Sequence, residues 1–378
     1  AWIILVPIVG ALIVAFLVKT FAPEAKGHGV PEVMDAIYYK RGIIRPIVAV
    51  IKAVASALSI GTGGSVGREG PIIQIGSAFG STVGQVLPVT QWQRMALIAC
   101  GSAGGIAATF NTPIGGVLFA VELIMPEISA RTLIPVALAS GAATFISRIF
   151  LGNHPAFYIP PLSIQAGDLA NPAGWLVWLA FGVVLGLWSV VFIKSIYKTE
   201  DWFDRIPGGY FARHVLGMAI VGVIIYLLMH FTGHYYVEGV GYATVQDALS
   251  KTLTAPVLLA VVLVLKLAAT SLTLGSGGSG GVFSPSLVMG AALGALFAWV
   301  VNALFPGMEI DPVSASVIGM AGIVGGATGA VVTAIVMLFE MTRDYTVIIP
   351  LMVAVSVAYG IRRAWMEGSI YDMKLRRR

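Results

Sequence analysis

The chain has 378 residues, of which 57% are hydrophobic and only 11% charged, with 23 Lys+Arg against 18 Asp+Glu. An ordinary soluble domain carries about 25% charged residues, and a mean hydropathy of +0.90 leaves too few charges to cover a soluble surface. Composition therefore excludes a set of soluble domains and places the chain in a lipid bilayer.

The chain opens at Ala1 inside an apolar run, with no initiator Met and no signal-peptide pattern, so a longer native N-terminus is expected. Stretches free of Asp, Glu, Lys and Arg then run between Arg94 and Glu122, Asp168 and Lys194, Arg213 and Glu238, Lys266 and Glu309, and Asp311 and Glu340. Each is long enough for a helix of about 20 residues to cross the hydrocarbon core. The pattern predicts an all-α polytopic membrane protein, since a barrel would need strands of alternating polarity. Trp92, Trp175, Trp178 and Trp365 read as anchors at the membrane surface. The basic tail, with Lys374, Arg376, Arg377 and Arg378, predicts a cytoplasmic C-terminus for a multi-pass protein of the cell (inner) membrane.

Glycine accounts for 45 of the 378 residues, above the usual share of about 7%, and its clusters repeat. At a constant offset of 214, Gly61, Gly63, Gly64, Ser65, Gly67 and Pro71 fall on Gly275, Gly277, Gly278, Ser279, Gly281 and Pro285. Gly76 and Gly80 fall on Gly290 and Gly294; at an offset of 218, Gly101, Ala103, Gly104 and Glu122 meet Gly319, Ala321, Gly322 and Glu340. The chain divides into two related halves near Arg205 to Gly209: residues 1–204, residues 205–368, and a tail 369–378. Such halves commonly meet at a pseudo-twofold axis with the substrate site at the midplane.

Each glycine cluster runs into a Pro and then an apolar run, which reads as a loop feeding a helix N-terminus, where Pro is well tolerated. Both loops sit among apolar residues, so the helices are expected to be broken at membrane depth. Non-helical backbone survives there only when it is buried in protein or lines a wet cavity. A helix N-terminus carries about half a positive charge and several unpaired N–H donors. Several of them converging make an anion site without a full cation, which lets an ion leave as well as enter. No cation lies close to the second loop in sequence. Glu69, beside the first loop, is then a carboxylate that competes for the anion's place until displaced or protonated, which makes it a gate.

These residues resemble the CLC family of chloride channels and proton-coupled chloride exchangers, over essentially the whole chain. Gly67-Arg-Glu-Gly-Pro71 resembles the family's GREGP motif, Gly281-Val-Phe-Ser-Pro285 its GxFxP motif, and Gly27-His-Gly-Val-Pro31 its GSGIP motif. Glu340-Met-Thr-Arg-Asp-Tyr345 is similar to the segment that supplies the family's pore tyrosine. The resemblance implies two inverted-topology repeats with broken, tilted helices around a central anion site. It also implies a homodimer with one pore per subunit, transporting chloride or a similar small anion. By position, Glu69 becomes the gate, and His28, Gly67, Arg68, Gly70, Val282, Phe283 and Tyr345 the anion-binding residues, Val282 and Phe283 through their backbone N–H groups.

Two departures from the family pattern bear on mechanism. His28 stands where the family offers a Ser hydroxyl. Leu123 stands at the internal glutamate that passes protons in the exchangers, and leucine cannot relay a proton. The expectation is passive, channel-like conduction gated by Glu69; the alternative is an antiporter with another internal proton route. A fluoride-specific exporter is disfavoured by the tyrosine at position 345.

Each residue also has a plainer reading. Glu69 could pair with Arg68, Tyr345 could be an interface aromatic, and Phe283 could be core. His28 either meets the anion or bonds to backbone and points away. Glu122 reads as a residue tying helices together, with a proton role as the alternative. Gly275-Ser-Gly-Gly-Ser-Gly280 satisfies GxGxxG, but no charged residue lies in the next 28 positions to hold a ribose, and the setting is transmembrane. No Ser/His or HExxH signature accompanies the single Cys100, and the histidines lack metal-ligand spacing, so neither an enzyme, a cofactor, a metal nor nucleic acid is expected. The tail Gly368-Ser-Ile-Tyr-Asp-Met-Lys-Leu375 resembles the junction to cytoplasmic regulatory domains in many relatives.

Overall fold

The computed structural model describes residues 2–125, 127–162 and 172–377. Ala1, Pro126, residues 163–171 (with Asp168) and Arg378 of the basic tail lie outside the described residues. In chain order the helices are α1 (Leu5–Phe21), α2 (Val30–Tyr38), α3 (Ile47–Gly61), α4 (Glu69–Val86), α5 (Gln91–Phe110) and α6 (Pro113–Phe119). A π-turn at Ala120–Ile124 extends α6, and α7 (Ala130–Leu151) and α8 (Pro172–Asp204) follow. The second set is α9 (Gly209–Thr232), α10 (Tyr242–Leu249), α11 (Pro256–Gly275), α12 (Phe283–Leu304), α13 (Pro312–Thr328), α14 (Val331–Thr342), α15 (Ile348–Trp365) and α16 (Ile370–Arg376). Among the described residues seven segments are long and apolar enough to cross a bilayer.

Two of the charge-free stretches form two helices each instead of one span. The stretch after Arg94 breaks at Asn111, with φ +59°, into α5 and α6; the stretch after Asp311 breaks at Gly329, with φ +83°, into α13 and α14. Asn and Gly are the residues that enter the left-handed region at least cost. The two breaks stand 218 residues apart, the offset of the repeat.

The halves meet through equivalent backbone. Gly67 N–H donates to Gly281 O at 2.7 Å, and Gly281 N–H donates back to Gly67 O at 2.6 Å. An antiparallel exchange between residues that hold the same place in the two repeats is what a twofold axis between them requires. The two repeats therefore run in opposite directions, as an inverted-topology pair. The same symmetry governs packing. A Cβ on Gly76 would sit 2.2 Å from Gly101 O, and one on Gly290 would sit 2.4 Å from Gly319 O. Small residues let α4 cross α5, and α12 cross α13, backbone against backbone, the usual source of helix association in lipid.

Burial grades from centre to rim. α13 is buried along its whole length, whereas α7 leaves Phe145, Ile146, Ile149 and Phe150 exposed. Trp178, expected as an interface anchor, is instead buried against Phe181, because α8 runs inside the bundle beside α15.

Candidate anion site

The prolines expected to open the helices occupy the third helical position. α4 begins at Glu69 and α12 at Phe283, two residues before Pro71 and Pro285. The free N–H groups of the first turn thus belong to the motif residues themselves. Two short helices complete the arrangement. Gly29 (φ +88°) precedes α2, and Gly241 (φ +82°) precedes α10.

Close backbone approach brings the N-termini of α2, α4 and α12 together, and Tyr242 at the start of α10 reaches the same point through its side chain. A Cβ on Gly29 would lie 2.6 Å from Gly70 O, and one on Gly70 would lie 2.1 Å from His28 O. Gly281 faces Gly70 N, which a Cβ would approach to 2.8 Å. Only glycine fits at these crossings, so the site is built from backbone that side chains would push apart.

Glu69 sits at this junction with no exposed surface. Its Oε1 accepts the hydroxyls of Tyr242, at 2.5 Å, and of Ser284; its Oε2 accepts Ser284 N–H at 3.3 Å. A buried carboxylate costs several kcal/mol when unpaired, and hydrogen bonds to a charged group return about 1.5–3 kcal/mol each. The carboxylate lies at the N-terminus of its own helix and reaches that of α12, where an anion is favoured. Arg68 is exposed and lies over the Tyr242 ring, 5.0 Å from its centroid.

The other expected residues divide. Gly67 contributes space, since a Cβ there would fall 2.4 Å from Glu69 Oε2, while its amide is committed to Gly281 and is not available to an ion. Val282 is the N-cap of α12 and Phe283 its first residue, with the Phe283 ring buried against Phe110. The amide that meets the Glu69 carboxylate is that of Ser284, one residue further on. His28 is 3% exposed, its ring stacks on Tyr197 at 6.4 Å, and its Nδ1 has no hydrogen-bond partner. It lines a cavity of about 230 Å³ with Lys26, Glu32, Glu200 and Lys374. A second cavity, of about 450 Å³, borders Gly241 and Tyr242 with Tyr236, Glu238 and Asp247.

Tyr345 is not brought to the site. It is 78% exposed, packs edge-on against Phe339, and lines a surface cavity with Asn111, Arg148, Glu340 and Arg343. Arg343 closes α14 in the left-handed conformation, with φ +55°, and Tyr345 opens the short turn Tyr345–Val347 that follows. The tyrosine that meets Glu69 is Tyr242; Tyr371, in the first turn of α16, is buried and lies close enough to feel the same carboxylate. Leu123 lies half-buried in the π-turn. Its neighbour Glu122 accepts Val332 N–H at 2.9 Å and Thr333 N–H at 2.7 Å.

Two lysines also stand close to these loops in the fold, although none lies near the second loop in sequence. Lys52 is wholly buried and donates to Ala25 O (3.0 Å) and Gly27 O (2.8 Å). Lys266, its counterpart at offset 214, is wholly buried and donates to Val237 O (3.1 Å) and Gly239 O (3.0 Å). Each lysine ties down the loop that leads into a short helix. Lys266 also interacts with the charge of Glu69.

Sequence reasoning missed Tyr242, Ser284, Tyr371 and both lysines. A signal for Tyr242 existed: Gly239-Val-Gly241-Tyr242 matches Gly27-His-Gly29-Val30 at an offset of 212. Ser284 lay inside a motif already singled out.

Comparison with known proteins agrees with this geometry. The family described as voltage gated chloride channel matches residues 10–363. A putative chloride channel protein ClcB-like from Ralstonia nicotianae is 33% identical, covering 99% of this chain and 85% of the relative. An H(+)/Cl(-) exchange transporter ClcA from Salmonella arizonae is 30% identical over 91% of this chain and 72% of the relative. Among solved structures, a slow cyanobacterial Cl-/H+ antiporter superposes with a TM-score of 0.86 at 26% identity, covering 99% of this chain and 86% of that one. A CLC-type fluoride/proton antiporter shares the fold, with a TM-score of 0.81 at 23% identity, over 98% and 87% of the two chains. With its paired loops, converging helix N-termini and buried glutamate, the chain belongs to the CLC family of voltage gated chloride channels, multi-pass membrane proteins that transport anions.

Proposed function

We propose that this protein conducts chloride, or a similar small anion, passively through a pore gated by Glu69, without moving protons in exchange. The observation that carries the reading is Leu123 at the position of the family's internal proton glutamate. Leucine has no titratable group, and the adjacent Glu122 is engaged with the N-terminus of α14. The burial of Glu69 at two helix N-termini supports its role as the gate, because a carboxylate seated there excludes an anion of the same charge. The protein works as a homodimer with one pore per subunit, in the cell (inner) membrane with its basic tail in the cytoplasm.

A second reading, proton-coupled exchange, is favoured by one observation besides the exchangers among its relatives. Glu32, 8% exposed, lines both the His28 cavity and a neighbouring cavity of about 360 Å³ with Glu24, Lys40 and Arg45. A carboxylate shared by two cavities could carry protons past Leu123. The test is purified protein in chloride-loaded liposomes, with external chloride and pH recorded together. Chloride efflux without proton movement, even under an imposed pH gradient, supports conduction. Chloride-driven proton uptake at a fixed ratio establishes exchange, and its loss in Glu32→Gln would assign the route. With Tyr345 outside the site, the case against fluoride loses its residue, so the same assay compares the two halides.

A further inference from the structure

Glu69 is held by a residue that no motif contains. Tyr242 is the first residue of α10, carried there by the left-handed Gly241. Its ring is fixed on two sides: Phe157 meets it edge-on at 4.7 Å, and the Arg68 guanidinium lies over it at 5.0 Å. The phenol so positioned donates to Glu69 Oε1 across 173 residues of sequence. The ring also borders the 450 Å³ cavity, so the phenol stands between that cavity and the gate carboxylate.

We propose that Tyr242 is the latch of the gate: its hydroxyl holds the ionised Glu69 side chain in the closed seat, and opening requires that bond to break. This rests on Glu69 being the gate and adds the residue that sets how firmly it closes. Ser284 shares the same carboxylate oxygen, but it belongs to the α12 N-terminus that an incoming anion would use. Tyr242 approaches from another helix, so removing its hydroxyl leaves the α12 N-terminus intact. The bond is part-buried and, to the ionised carboxylate, charge-assisted, the stronger class of hydrogen bond. A proton on Glu69 removes the charge that strengthens it, so acid and the loss of Tyr242 act in the same direction. The ionisable groups interacting with Glu69 are Tyr242 of α10, with Arg68 on the other face of its ring, Lys266 of α11 and Tyr371 of α16. Of these only Tyr242 donates a hydrogen bond to the carboxylate.

The experiment compares chloride flux across a pH series for wild type, Tyr242→Phe, Glu69→Ala and the double variant, each reconstituted after elution as a single species. Phe keeps the ring between Phe157 and Arg68, so packing is preserved. The latch predicts flux about tenfold higher at neutral pH in Tyr242→Phe, and half-maximal flux about one pH unit higher, the scale of one charge-assisted hydrogen bond. It predicts no further gain when the substitution is added to Glu69→Ala. Unchanged flux and midpoint in Tyr242→Phe, while Glu69→Ala is fast, would overturn the latch and leave the gate standing. An equal gain in the Glu69→Ala background would overturn it as well, by placing Tyr242 in the conduction path alone. If Glu69→Ala itself fails to raise flux, the gate reading falls and the latch falls with it.

Discussion

Glu122 and Glu340 occupy equivalent places in the two repeats, and each binds the opposite repeat's helix. The Glu122 carboxylate accepts Val332 and Thr333 N–H at the start of α14, and the Glu340 carboxylate accepts Ile114 (3.1 Å) and Gly115 (2.7 Å) N–H at the start of α6. Each carboxylate satisfies two of the orphan donors that every helix start presents, and each sits where the helix dipole favours negative charge. The reciprocity joins the two halves at a point separate from the Gly67–Gly281 contact.

Removing either cap weakens this joint. Glu122→Gln and Glu340→Gln should each destabilise the protein by about 0.5–2 kcal/mol, the range for losing a side-chain cap. Thermal unfolding in detergent reads this as a lower midpoint for both variants. Chloride flux per folded protein should be retained in Glu122→Gln; its loss would assign the residue a transport role that capping does not explain.

The two buried lysines separate structure from gating. Lys266→Met leaves the carbonyls of Val237 and Gly239 without this donor, at about 1–3 kcal/mol per group, whereas in Lys52→Met Ala25 O keeps the Ser279 hydroxyl and Gly27 O keeps Gly280 N–H, so Lys266→Met should lower stability more. Lys266 ties down the loop before α10, whose first residue Tyr242 bonds Glu69, whereas Lys52 ties down the loop before α2. Chloride flux per folded protein should therefore change more in Lys266→Met than in Lys52→Met. Equal flux in the two variants would show that the loop before α10 does not bear on Glu69.

His28 carries a ring nitrogen without a partner on the wall of a cavity that also holds Lys26 and Lys374. An imidazole donor there meets an anion at longer reach than a serine hydroxyl. His28→Ser should change the order of halide permeabilities. Bi-ionic flux measurements that show the same order would place the ring outside the ion's path.

The two tyrosines give the sharpest contrast. Tyr345→Ala, at a surface cavity, should leave anion selectivity and gating unaltered. Tyr371→Ala removes a buried ring near Glu69, and should alter flux as well as cost about 3–5 kcal/mol, the usual toll of deleting a core aromatic. Flux changed by Tyr345→Ala and untouched by Tyr371→Ala would reverse this assignment.

Much of the architecture was legible because it rests on local rules. Sparse charge meant a bilayer, matched glycine clusters meant two halves, and Gly-rich loops before Pro meant broken helices, since only glycine tolerates the backbone approaches seen at Gly29, Gly70 and Gly281. Glu69 stood out for a similar reason, as a carboxylate among apolar residues.

What the sequence determined by itself was thus the membrane setting, the repeat, the loops and a glutamate beside them. All follow from residue type and short spacing, which act within a few residues along the chain. Only the tertiary structure decided what surrounds that glutamate. Tyr242 and Ser284 reach it across 173 and 215 residues, and Tyr371 arrives on a helix near the other end of the chain. Tyr345, expected at the pore from the resemblance of its segment, lies exposed at the surface instead. Contacts made by folding two inverted halves together depend on how the helices cross, and no local spacing encodes which side chains those crossings bring to one carboxylate.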